Sequence, residues 1–198
     1  MRIAISVFLL CYLLPTYGQE ASSFYPAGVY NSFPAFIKKE SSYNEIVSLE
    51  GSRNPIINTF RVKDSRGKRI QGAFAVSDGK DIYIRTNAMI EYFTNQEFDK
   101  PNTTNKDYSK AYLQNDKYLY FECFFQSKGV STWGVGTVYL SGIICDLAGA
   151  NFTVIRTEDD INTFLESIKV TPKATELNSK SDRLNIEKTR DLIMPLFE

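Results

Sequence analysis

The chain has 198 residues, with 23 Lys and Arg against 23 Asp and Glu, and it contains no histidine. Its neutral balance leaves no electrostatic footprint for nucleic acid and no pull toward anionic membranes. The missing histidine removes Ser-His-Asp and Cys-His catalysis, together with every histidine-based metal site.

The first residues set the compartment. Met1-Arg2 supplies one positive charge, residues 3–14 form a mostly apolar run, and Pro15-Thr16-Tyr17-Gly18 ends it with a helix breaker and a small residue. That order is a secretory signal peptide, with cleavage expected after Gly18. The run is shorter than the roughly 20 apolar residues that cross a bilayer as a helix. Cys11 sits inside the run rather than after a small residue at its end, which argues against lipid attachment. Arg2 is the only charge in residues 1–18, so the remaining 180 residues carry 22 basic and 23 acidic groups. The predicted organisation is a signal peptide over 1–18, a globular domain over 19–180 and a C-terminal helix over 181–198, packing on the domain or extending from it.

Along the domain, Ser32 to Glu40 reads as a short helix. Ser32 is its cap, Pro34 lies in its first turn, and Phe33, Phe36 and Ile37 form one apolar face. Residues 41–55 read as an extended stretch and loop. A three-stranded meander is expected next, with strands over 56–62, 69–76 and 81–85. Its turns are Asp64-Ser65-Arg66-Gly67 and Asp78-Gly79, whose residues tolerate positive φ. Thr86 or Asn87 is placed to cap a short helix over 88–93, and the polar stretch 94–110 reads as a loop.

Tyr118 to Gln126 is a dense aromatic strand with both alternating sets mostly apolar, so it is expected to be central and covered on both faces. The glycine-rich stretch 129–150 reads as one or two bent strands, followed by a strand over 152–155. Thr157-Glu158-Asp159-Asp160 is a capping-box variant, and Ile161, Phe164, Leu165 and Ile168 recur at helical spacing behind it. After a polar linker over 170–180, Ser181-Asp182 opens a last helix that reaches about Ile193. The fold class is α+β: a mainly antiparallel β-sheet with a few short amphipathic helices, two of them C-terminal.

Two cysteines lie outside the leader, Cys123 and Cys145. In an oxidising compartment they are a disulfide candidate that would contribute about 3 kcal/mol by closing its loop. The alternative is two buried thiols packing as small hydrophobes. Spacing alone does not choose between them.

Few residues suggest chemistry. Glu122, inside the aromatic strand, becomes a general-acid candidate if it points inward; otherwise it faces a solvated edge or pairs with Lys or Arg. Asp146 reads as a strand-end turn residue and Asp78 as part of its hairpin turn. Trp133, the single tryptophan, is a candidate ligand contact that would stack on a sugar ring, against the commoner role of core anchor. The region from Gly129 to Gly136 lacks the lysine of a phosphate-binding loop. The uncharged stretch 129–145 is a candidate for membrane contact, but is too short and polar for a clear span. Asn102-Thr103-Thr104 and Asn151-Phe152-Thr153 fit the N-glycosylation pattern, which matters only in a eukaryotic secretory route.

The segment Tyr25-Pro26-Ala27-Gly28-Val29-Tyr30-Asn31-Ser32-Phe33-Pro34-Ala35-Phe36 resembles the start of a secreted Bacteroidetes family of unknown function. Ala73 to Ile84 resembles that family's central hairpin, and the glycine-rich apolar stretch is also similar. The resemblance implies export, brings no catalytic residues, and removes the glycosylation meaning of the asparagine triplets.

The sequence therefore leads to an exported binding or cell-envelope accessory protein, secreted or periplasmic, with an envelope protein or a glycan as partner. No catalytic, cofactor or metal constellation is legible. The competing expectations are a histidine-free hydrolase using carboxylates such as Glu122, and membrane association through 129–145. For the leading reading, a Tyr- and Phe-rich sheet face is the expected contact surface.

Overall fold

The computed structural model describes residues 25–43, 48–51, 59–95, 100–101, 107–126, 138–170 and 185–198. Residues 1–18 with the expected cleavage position at Gly18, Trp133 and the Asn102 triplet lie outside them.

The first half of the chain supplies β1 (Gly28–Tyr30), α1 (Phe33–Ile37), β2 (Ser48–Gly51), β3 (Thr59–Lys63), β4 (Ala75–Ser77), β5 (Ile82–Arg85) and α2 (Thr86–Met89). The second half supplies β6 (Lys100–Pro101), β7 (Tyr108–Lys110), β8 (Leu113–Gln114), β9 (Tyr118–Gln126), β10 (Val138–Asp146), β11 (Asn151–Ile155), α3 (Glu158–Ser167) and α4 (Ile186–Ile193). They build a six-stranded sheet, ordered β1-β4-β5-β7-β3-β2, and a five-stranded one, ordered β11-β10-β9-β6 with β8 also on β9. The strands of both sheets pair antiparallel. The class is the expected α+β.

Side-chain alternation along β9 organises the layers. Leu119, Phe121, Cys123 and Phe125 point one way, into a core shared with Ala75, Ile82 and Ile84 of the six-stranded sheet. Tyr120 points the other way and joins Ile144 and Ile155 beneath α3 and α4. The order of layers is thus sheet, sheet, helices, with β9 covered on both faces as its double apolar pattern requires. A smaller core on the outer face of the six-stranded sheet gathers Val29, Val62, Val76, Tyr83 and Tyr108 with Ile70 and Ala73.

Helix α1 plugs the sandwich. Ser32 caps it by accepting a hydrogen bond from the Ala35 amide at 3.3 Å, and Phe33 and Phe36 are buried. Phe36 stacks on Tyr25 at 4.3 Å, and Phe33 on Phe74 at 4.9 Å. Pairs of this kind add about 1 kcal/mol each beyond simple area burial. Tyr25, Tyr30, Tyr108, Tyr120, Phe121, Phe125 and Phe152 are all fully enclosed. The aromatic richness therefore builds the core, and the expected Tyr- and Phe-rich contact face is not present among the described residues. Only two aromatic side chains there, Tyr43 and Tyr112, are strongly exposed.

The β4–β5 hairpin forms as expected. Asp78 Oδ1 accepts the Lys80 and Asp81 amides at 2.9 and 2.7 Å, while Gly79 takes φ +92°. Asp78 thus shapes this turn with its side chain rather than with a positive φ. The rest of the meander differs from expectation. Residues 69–74 leave the ladder after a single bridge between Lys63 and Arg69. The Tyr108 hydroxyl donates to the Ile70 and Ala73 carbonyls at 3.5 and 3.3 Å, occupying acceptors that a strand partner would use. β3 instead pairs with β7, from a stretch expected to be loop, whose Tyr108 and Ser109 are fully buried.

Helix α2 starts at Thr86, and no side chain caps it. The Thr86 hydroxyl is buried 2.7 Å from Ser109 Oγ, which lies 3.2 Å from Cys123 Sγ. This polar chain ties the two sheets together. The last helix is capped by Asn185, whose side chain accepts the Lys188 amide at 2.7 Å; residues 181–184 lie outside the described set.

Candidate functional site

Glu122 lies on the helix-facing side of β9, its side chain 7% exposed, and α4 supplies its partner. Arg190 Nε and its second guanidinium nitrogen donate to the two carboxylate oxygens at 2.6 and 2.8 Å. The same guanidinium rests 4.5 Å above the Tyr112 ring. This two-pronged bond keeps Glu122 as an anchor for α4 and occupies both oxygens a general acid would need. Of the alternatives open in the sequence, the pairing with an arginine is the one realised. The hydrogen bonds from Arg190 to Glu122 raise the Arg190 pKa further, so the guanidinium stays charged. Burial, with the Glu122 carboxylate next in effect, pushes the neighbouring Tyr120 hydroxyl well up.

The cysteines do not form the candidate disulfide; both are free and buried. The β9–β10 register sets Cys123 opposite Ser141 and Cys145 opposite Leu119. That offset of four positions separates them by roughly 13 Å along the strands, beyond the ~7 Å a disulfide can bridge. Burial pushes the Cys123 thiol up to about 12 and raises Cys145 well above its ordinary value. Neither is a nucleophile near neutral pH. The native protein should therefore leave both thiols unreacted with a thiol reagent and yield both on unfolding in denaturant. Recovery of fewer than two after unfolding without reductant would contradict this pairing state.

The membrane expectation covers a stretch that divides in two. Residues 138–145 belong to β10, with Gly142 to Cys145 packed inside. Residues 129–137 lie outside the described set. No helix among the described residues is long and apolar enough to cross a membrane.

One open polar feature stands apart from these cores. On β11, Phe152 and Val154 face the main core, so Asn151 and Thr153 face the helix side. Helix α3 crosses that side and buries Ile161, Phe164 and Leu165. Its opposite constraint, a polar residue every fourth position, aligns Asp159, Thr163 and Ser167 along the same flank. Between the two rows runs a groove of about 410 Å³, lined by Thr94, Asn95, Asp146, Asn151, Thr153, Asp159, Asp160, Thr163, Phe164 and Ser167.

The scaffold around it is tightly specified. Thr157 accepts the Asp160 amide at 3.2 Å, and Asp160 accepts the Thr157 amide at 2.9 Å, completing the expected capping box. Asn95 behaves as a one-residue strand at the edge of β11. Its amide nitrogen donates to the Val154 carbonyl at 2.8 Å, and its oxygen accepts the Val154 amide at 3.1 Å. Edge closure of this kind blocks intermolecular strand pairing. Thr94 and Thr153 hydroxyls meet at 2.9 Å. Asp146 ends β10 and accepts the Ala148 amide at 3.0 Å, the turn role expected of it.

Asp159 and Thr163, in contrast, are exposed and carry no hydrogen bond or ion pair among the described residues. Among the described residues the groove is lined by three carboxylates and no lysine or arginine. No three His, Cys, Asp or Glu side chains among the described residues converge to hold a metal ion.

The groove was not foreseen from the sequence. In the sequence Asp159 belongs to the capping-box segment, Thr163 carries no signal of its own, and Asn151 and Thr153 form part of a glycosylation triplet. Compared with protein-family models, with curated proteins and with solved structures, the chain matches none.

Proposed function

We propose that this is an exported, non-catalytic binding or cell-envelope accessory protein, and that the groove between α3 and β11 is its binding site. The carrying observation is the contrast between that groove and the rest of the molecule. Glu122 is committed to Arg190 and the thiols are buried, whereas the groove presents the uncommitted Asp159 carboxylate and Thr163 hydroxyl to solvent. Concave sites with a few convergent polar groups are where small ligands bind. Export is supported by the leader pattern of residues 1–18 and by the resemblance of Tyr25 to Phe36 and Ala73 to Ile84 to a secreted family.

The test starts from cells producing the full chain. The expected result is protein outside the cytoplasm whose intact mass corresponds to a start at Gln19. It should also enrich a glycan or protein from its own envelope extract, more than a Thr163→Arg variant that fills the groove. Recovery from the cytoplasm with residues 1–18 attached contradicts export. Equal enrichment by the variant contradicts the site.

A further inference from the structure

Resting on the export reading above, we infer that the β2–β3 end of the six-stranded sheet is a docking surface for an anionic polysaccharide, separate from the groove. The neutral total of the chain conceals an uneven distribution. Residues 48–51 and 59–70 hold five cations, Arg61, Lys63, Arg66, Lys68 and Arg69, against two carboxylates, Glu50 and Asp64.

The fold gathers this charge on one face. Thr59 pairs with Ser109, whose hydroxyl touches Cys123 of the five-stranded sheet. Alternation sends Arg61 and Lys63 to the same side as Thr59, the side on which β9 covers β7. Beyond β7 that cover ends: Arg61 and Glu50 are exposed and Lys63 is half-buried. Glu50 lies opposite Arg61, and Arg69 bridges to Lys63, so both join the same face. Val62 and Ile70 go the other way, into the outer core. Lys63 binds Glu50 at 3.0 Å; that hydrogen bond and the Lys63 charge hold the Glu50 carboxyl below the usual carboxylate range, and Arg61 and Arg69 add to the effect. Asp64 fixes the adjoining turn by accepting the Arg66 and Lys68 amides at 3.0 and 2.8 Å, and it pairs with the Arg66 guanidinium. The side chains of Arg61, Lys68 and Arg69 remain exposed, with no hydrogen bond or ion pair among the described residues.

Charge of either sign protects an edge strand, so an excess of one sign selects a partner. Guanidinium and ammonium groups only donate, so that partner brings acceptors and negative charge. Cations two residues apart on a strand lie about 7 Å apart, and those on neighbouring strands about 5 Å. One small anion cannot meet them all, so the anions must repeat along a polymer. A membrane-docking face sets apolar side chains beside its cations. The exposed large apolar residues, Tyr43, Tyr112, Val138, Val170 and Met194, all lie outside these two segments. Single-stranded nucleic acid stacks its bases on aromatic rings. Phe60, the one aromatic residue of the two segments, packs on the outer core instead. A polysaccharide with a carboxylate on each sugar needs neither feature.

The test is titration calorimetry of the full chain with polygalacturonate. Neutral dextran, polyglutamate, duplex DNA and phosphatidylglycerol vesicles are the comparators. Polygalacturonate should bind and dextran should not. For three released counterions the affinity should fall roughly tenfold between about 50 and 200 mM salt. Arg61→Gln/Arg69→Gln should weaken binding by about tenfold or more. Glu50→Gln, which frees Lys63, should strengthen it. Lys117→Gln/Lys188→Gln removes the same charge elsewhere and should change nothing. All these positions are exposed, so unchanged melting curves separate loss of binding from loss of fold. Parent-like binding by the Arg61/Arg69 variant, or an equal loss in the Lys117/Lys188 variant, overturns the inference. So does tighter binding of DNA, polyglutamate or vesicles than of polygalacturonate at equal charge concentration. Absence of polygalacturonate binding in a protein whose mass starts at Gln19 sinks the docking surface and leaves export standing.

Discussion

Replacing Arg190 by alanine should destabilise the fold by about 3 kcal/mol. Glu122 is enclosed under α4, and among the described residues Arg190 balances its charge with bonds of 2.6 and 2.8 Å. Removing one partner of a buried pair leaves an uncompensated ion, which costs about 3–5 kcal/mol. The lower end applies because the Arg190 side chain is 29% exposed and water can partly replace it. The 4.5 Å contact over Tyr112 is lost as well.

Urea unfolding measures the loss. Glu122→Leu/Arg190→Met should recover most of it, because an apolar pair of similar volume carries no desolvation cost. A double variant no more stable than Arg190→Ala would mean that Arg190 acts through packing alone.

The second large effect is at Gly142. It sits in β10 opposite Glu122 of β9 and Ile155 of β11, on the face that α4 covers. A Cβ placed there would lie 2.6 Å from Tyr120 Cε2, 2.8 Å from the Tyr120 hydroxyl and 3.1 Å from Thr189 Cγ2. Tyr120 is fully buried and Thr189 nearly so, so neither can swing away. Overpacking of this kind costs about 1–3 kcal/mol, and more as the side chain grows. Gly142→Ala should lose about 2 kcal/mol in urea unfolding, and Gly142→Val should also release α4 to proteolysis near residue 185. Unchanged midpoints would place α4 farther from the sheet than the structure does.

These two sites explain what the sequence could and could not reveal. β9 was legible because period-two alternation with both sets apolar has one economical solution, a strand with two covered faces. The capping box and α3 were legible because their signals span at most eleven residues. β7 was not, since Tyr108-Ser109-Lys110 is too short to carry a period and its polar neighbours read as loop. The pairing of β3 with β7 rather than β4 was equally hidden, because strand order is chosen by tertiary packing. The Glu122–Arg190 bond joins residues 68 apart, and no local pattern announces such a partner. The groove has the same origin. It draws on Thr94 and Asn95, on Asp146 to Thr153, and on α3, three segments that meet only after the sheet and helix have docked.

The groove's role is tested most directly by mapping amide chemical shifts while the protein is titrated with glycans released from an envelope extract of the cells that make it. The expected result is a set of saturable shifts at Asn151, Thr153, Asp159, Thr163 and Ser167. Shifts that instead gather around Tyr43 or Tyr112, with those five residues silent, would place the binding surface elsewhere and contradict the assignment.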